Sequence, residues 1–243
     1  MYNEKHPQAE GTDFETHSKF FWTPFWTNSI PEWVDDIDNA CQVHLDIAHE
    51  REKDKIEKNG GDFGMVYHSG PIETDPKLKE LVEYVGGTAY NLLDTWGYDL
   101  SNHQVVFDSM WVQEFSQNGG GHHRVHIHEN CHVSGFYFLR NDNSSFPLFH
   151  DPRPGAMMTK LPEKNETEIT AATKMCNYQP VAGDIYMFPS YLPHEYVVSK
   201  GKDFRFIHFN LSAVSNVVDE IVVVVPAWPA FTQQIVRKMR RKM

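Results

Sequence analysis

Beyond residue 100 the chain changes period. Val106, Asp108, Met110 and Val112 alternate with Phe107, Trp111 and Gln113. Short apolar or aromatic runs then recur over 122–128, 133–140, 146–149, 168–178, 184–189, 194–199 and 203–211. Turn-forming clusters separate them: Asn141-Asp142-Asn143-Ser144, Pro152-Arg153-Pro154-Gly155, Pro180 to Asp184, and Lys200-Gly201-Lys202. Successive side chains of a strand point to opposite faces, so runs of this length spaced by Gly, Pro and Asn predict strands and tight turns. About eight of them in succession predict a sandwich or barrel.

The first hundred residues carry a different pattern. Residues 1–18 read as a polar arm, and Phe20-Phe21-Trp22-Thr23-Pro24-Phe25-Trp26 as an aromatic segment docked on the core. Ser29-Ile30-Pro31-Glu32 has capping-box spacing, with proline where its missing N–H costs least. Trp33, Ile37, Ala40, Cys41, His44, Ile47 and Ala48 follow at helical spacing, and Asn59-Gly60-Gly61 ends the helix. A second helix opens at Thr74-Asp75-Pro76, runs on the stripe Leu78, Leu81, Val82, Val85, Ala89, Leu92, Leu93 and Trp96, and stops at Gly97. Gly86-Gly87 inside it predicts a kink or a close packing contact. Pro226 to Met243 reads as a helix with a basic last turn. The expectation is one domain over 1–243, mainly β with flanking helices: arm and bracing helices to residue 100, a β core over 101–212, and a C-terminal strand and helix over 213–243.

Composition narrows the function classes. A formal net charge of −11 disfavours nucleic acid as a partner, which calls for a basic face. Cys41, Cys131 and Cys176 are odd in number and widely spaced, which fits a reducing compartment without a disulfide framework. The first 18 residues are polar, unlike a signal peptide, and the longest aliphatic run, Ile221 to Val225, is too short to span a bilayer. The expectation is a cytoplasmic protein with no membrane partner.

The chemistry concentrates in Gly119 to Leu139, GGGHHRVHIHENCHVSGFYFL. In a strand, His122, Arg124, His126 and His128 share one face, and His123, Val125 and Ile127 the other. Two imidazoles two residues apart on one face can hold a single metal ion. In a chain with 14 histidines a His-x-His also arises by chance, so the pair alone leaves a metal site and a plain polar face equally open. The partner segment lies downstream, in Gly183-Asp184-Ile185-Tyr186-Met187-Phe188-Pro189-Ser190-Tyr191-Leu192-Pro193-His194, with Arg205 and Asn210 in Lys202-Asp203-Phe204-Arg205-Phe206-Ile207-His208-Phe209-Asn210.

These segments, with Ser134-Gly135-Phe136-Tyr137-Phe138-Leu139 and Asp151-Pro152-Arg153-Pro154, resemble the Fe(II)/2-oxoglutarate-dependent oxygenases, most closely those of unassigned substrate in marine bacteria and phages. The resemblance implies a double-stranded β-helix, a cupin-like jelly roll with the metal between its sheets. It implies Fe(II) and the co-substrate 2-oxoglutarate, O₂, and a small-molecule or peptide substrate that is hydroxylated. It implies His126, His128 and His194 as metal ligands. Arg205 matches the cation that pairs with the far carboxylate of 2-oxoglutarate, where a planar guanidinium makes two charge-assisted bonds. His128 stands where the family pattern has a carboxylate, so Glu129 is the alternative third ligand. Phe138 stands where a tyrosine is usual, leaving Tyr137, Tyr186 and Asn210 as candidate co-substrate contacts. Trp111 and Gln113 are candidates to line the pocket, with core packing the default for the tryptophan, and Arg153 is a candidate anchor for an anionic substrate, with a plain loop role the default. His208, of opposite strand parity to Arg205, is expected outside. Two other readings stay open: a cupin-like three-histidine dioxygenase that uses no keto acid, and a non-catalytic metal-binding jelly roll.

Overall fold

The structure is a computed structural model that describes residues 21–119, 121, 123–142, 145–154, 161–199 and 203–216. The polar arm, the basic tail with its helix, and His122 lie outside these residues.

Ten antiparallel strands form two sheets. The larger contains β1 (Trp26–Ser29), β8 (Asp184–Pro189), β5 (Val133–Asn141), β10 (Phe204–Ser215), β3 (His103–Phe115) and β2 (Val66–His68), in that order. The smaller has the order β4 (His123–His126), β9 (His194–Val197), β6 (Phe146–His150) and β7 (Met175–Asn177). The two face each other as a jelly roll. Helices α1 (Val34–Asn59) and α2 (Lys79–Thr95) brace the outer face of the large sheet.

Strand parity divides the core in two. From β10 and β5, Ile207, Phe209, Leu211, Val133, Tyr137 and Leu139 point outward to meet Ile37, Cys41, Leu45, Leu81 and Val85 of the helices. The alternate residues Phe204, Phe206, Phe136 and Phe138 point inward, joined by Phe115, Phe149, Phe188 and Tyr196. Burying each such ring stabilises the fold by roughly 1.5–3 kcal/mol, so most of the inner volume is structural filling. Gly135 has a specific reason: a Cβ there would lie 2.3 Å from the Tyr186 carbonyl and 2.4 Å from the Phe209 ring.

Several local expectations are corrected. Ser29 ends β1, and a 3₁₀ turn over Pro31–Trp33 leads into α1 with no side-chain cap, so the capping box does not form. The buried stripe of α1 takes in Leu45, whereas Ile47 is exposed. Asp75 does cap the turn before α2, accepting from Lys77 N at 2.9 Å. Gly86-Gly87 leaves α2 unbroken, with Gly86 packed close to Phe107. Of the run 168–178 only Met175–Asn177 pairs as a strand.

Candidate metal centre

Within the smaller sheet β4 pairs with β9, which sets His126 opposite His194. Strand β4 stops at His126, and His128 is held by its backbone N–H donating to the Ser190 carbonyl at 3.0 Å. The outcome is a triangle of imidazoles. Ring centroids of His126 and His194 are 4.4 Å apart, His126 and His128 5.0 Å, and His128 and His194 5.2 Å. One ligand atom from each lies within 4.8 Å of the others, so this group could hold a metal ion.

The hydrogen bonding aims the same atom of two of the rings. His126 Nδ1 meets the Arg124 carbonyl at 2.8 Å, and His194 Nδ1 meets the Leu192 carbonyl at 3.0 Å. A carbonyl only accepts, so each Nδ1 carries the proton and each Nε2 keeps its lone pair. His128 Nδ1 lies 3.3 Å from the Asn210 Nδ2, and Asn210 Oδ1 accepts from Ser134 at 2.6 Å. All three Nε2 atoms are buried without a hydrogen-bond partner. Buried polar atoms are rarely left unpaired, and three that converge fit a cation. Burial, and then the neighbouring His126 and His123, push His128 down to about 4. Burial chiefly, with His126 and His128 adding, holds His194 well below the ordinary imidazole range. His128 and His194 are therefore held toward the neutral, ligating form. Three neutral nitrogens suit iron among other divalent metals, and Fe(II) fits this donor set. Glu129 is exposed in the turn after His128 and is not part of the triangle.

Arg205 is not directed into the barrel. It lies on the outer face of β10, where Nε donates to Glu114 at 2.7 Å and Nη1 donates to Asp38 at 2.8 Å and Gln42 at 3.0 Å. Burial weakens its charge, but Glu114 and then Asp38 more than offset this. His208 has the opposite parity and is consequently inside, stacked on Trp111 at 4.4 Å and 4.5 Å from the His128 ring. The expectation for one residue fixed that for the other, so both reverse together. Tyr137 also faces outward, donating to the Ile30 carbonyl at 2.7 Å. Tyr186 is inside but packs on Phe25, Phe138 and Tyr178, with no histidine contact. Phe138 is fully buried in the same aromatic cluster. Asn210 does reach the site, through His128. Arg153 is engaged by Asp151 at 2.9 and 2.7 Å.

Trp111 and Gln113 line the interior beside the histidines, with Trp111 Nε1 donating to Gln113 Oε1 at 3.3 Å. A cavity of about 230 Å³ is lined by His68, Ser69, Glu73, Asp108, Ser109 and Trp111. His68 escapes a reading by motif, since it lies in no patterned segment, and His208 is read by parity onto the wrong face. The signal for His208 is alternation: counted from Asn210 it shares the inner face, and it pairs with Trp111 across the strands.

Residues 109–210 match a family model described as "Putative 2OG-Fe(II) oxygenase". No curated protein matches the chain. Among solved structures, it is similar to the non-heme alpha ketoglutarate dependent carbocyclase SnoK from nogalamycin biosynthesis, at 14% identity and TM-score 0.53, covering 81% of this chain and 84% of that one. AviO1 from Streptomyces viridochromogenes Tue57 is 16% identical at TM-score 0.49, covering 86% and 92%. A Pseudomonas putida prolyl-4-hydroxylase is 11% identical at TM-score 0.49, covering 77% and 91%. At such identities the likeness is one of fold.

Proposed function

We propose, from the match of residues 109–210 to the 2OG-Fe(II) oxygenase family model, that this chain is a hydroxylase that couples oxidative decarboxylation of 2-oxoglutarate to oxidation of a small-molecule or peptide substrate. The observation that carries the reading is the triangle of buried, unpartnered Nε2 atoms of His126, His128 and His194. When bound, Fe(II) and 2-oxoglutarate supply an O₂-derived oxidant, with succinate and CO₂ as by-products.

The chain's own residues do the rest. The Arg124 and Leu192 carbonyls fix two imidazole tautomers, and Asn210 positions the third. The rings of Trp111, Phe136, Phe149, Phe188 and Tyr196 around the triangle keep bulk water away. The cavity lined by Trp111, open to polar groups from His68, Glu73 and Asp108, is where we place the substrate. Among the described residues no helix is long and apolar enough to cross a membrane. All three cysteines are free, and burial followed by Asp38 pushes the Cys41 thiol up to about 12, which fits the reducing cytoplasm we assign.

Anaerobic addition of Fe(II) and then 2-oxoglutarate should develop a visible charge-transfer band, and aerobic incubation should release succinate. Stoichiometric iron with no response to 2-oxoglutarate would overturn the reading.

A further inference from the structure

Inside the barrel, two fully enclosed side chains have no assigned task. His208 and Gln113 are each 1% exposed, yet both ring nitrogens of His208 and the Nε2 of Gln113 lack a hydrogen-bond partner. Leaving a buried donor unsatisfied costs about 1–3 kcal/mol, so two on one inner face point to a ligand that accepts from both. They are diagonal neighbours across β3 and β10, since His208 pairs with Trp111 and Phe206 with Gln113. Trp111 contacts both: its ring stacks on His208 at an interplanar angle of 7°, and its Nε1 donates to Gln113 Oε1 at 3.3 Å, while His68 also bonds the Gln113 side chain and the amide nitrogen is left as the unpartnered donor. The His208 ring lies 4.5 Å from His128 and 6.2 Å from His194, in the same chamber as the metal ligands.

We propose that His208 and Gln113 bind the carboxylate of 2-oxoglutarate remote from the metal, as hydrogen-bond donors in place of a cation. The proposal rests on the function read above and assigns the task for which Arg205 faces the wrong way. The charges agree with it. Fe(II) on three neutral imidazoles keeps its full double positive charge, which one dianion cancels. Fe(II) plus one dianion is already neutral, so a further cation would leave an excess positive charge. Neutral donors satisfy the oxygens without that excess.

The test compares 2-oxoglutarate with 2-oxopentanoate, which has the same 2-oxo acid head and carbon chain but ends in a methyl group. Each is titrated into the anaerobic Fe(II) protein and followed by the visible band. Wild type should prefer 2-oxoglutarate. His208→Phe keeps the stack on Trp111 and should lose about tenfold to a hundredfold in 2-oxoglutarate affinity, with 2-oxopentanoate little changed. Gln113→Leu should narrow the preference in the same direction. Undiminished preference in both variants overturns the proposal, as does loss of iron from His208→Phe on metal analysis, which would make His208 a support of the metal. A wild type that binds neither acid would instead remove the function on which the proposal rests.

Discussion

Position 128 sets the charge of the centre. An imidazole there leaves a bound Fe(II) fully dipositive, whereas a carboxylate would bring one negative charge into a chamber walled in part by Trp111 and Phe136. In a low-dielectric site an uncompensated charge is expensive. His128→Asp should therefore retain iron while weakening 2-oxoglutarate about tenfold or more, because the dianion then over-neutralises the metal. Metal analysis and anaerobic titration read the two effects separately, and unchanged 2-oxoglutarate affinity would refute the charge balance. At this scale the three histidines were legible, because a His-x-His and a distant histidine after a Gly-Asp turn are local patterns. His208 was not. Its side depends on the phase of a 12-residue strand, and that phase was anchored on Arg205, whose partners Asp38 and Gln42 are some 160 positions away in sequence.

Those partners make Arg205 part of the joint between α1 and the large sheet. Asp38 accepts from Arg205 through Oδ1 and from Arg140 through Oδ2, so one helical carboxylate ties β10 and β5 together. The Arg205 side chain is 4% exposed, while Asp38 and Glu114 are 15% and 20% exposed. Removing one member of a buried pair typically costs about 3–5 kcal/mol, and partial solvation of the two carboxylates puts this case at the lower end. Arg205→Met should thus lower the unfolding free energy by about 3 kcal/mol in a urea titration, yet leave the preference for 2-oxoglutarate over 2-oxopentanoate intact. A collapse of that preference would return Arg205 to the co-substrate. The same elements show how far pattern reading goes. Alternation located the long core strands and helical spacing located both helices, since each signal sits within one element. β1, β2 and the end of the capping box depended on partners: Trp26–Ser29 is a strand because β8 offers it an edge, and β2 because β3 does.

For the molecule as a whole, the buried histidines tie stability to pH. Burial foremost lowers His68, His128, His194 and His208 below the ordinary value of 6.5, His128 to about 4. In the unfolded chain these imidazoles titrate normally. Between pH 6.5 and about 4 the unfolded state therefore binds more protons than the folded state, and stability falls as pH falls through that window. Asp62, Asp75 and Asp151 have lowered values too, but their contribution is lost only below about pH 5, so it does not enter the decline from about pH 7 to about pH 5. The decline is thus assigned to histidine alone. Composition could not announce it, because 14 histidines in a sequence do not say which are enclosed. The metal-free protein should lose thermal stability steadily on acidification from about pH 7 to about pH 5, and His208→Phe, with one fewer imidazole to protonate, should flatten the slope. Fe(II) competes with protons for the same Nε2 atoms, so the iron-loaded protein should start higher and fall more steeply. The measurement is the thermal midpoint against pH for the metal-free, iron-loaded and His208→Phe proteins. A midpoint level across that range in the metal-free wild type would mean that these histidines are not enclosed as described.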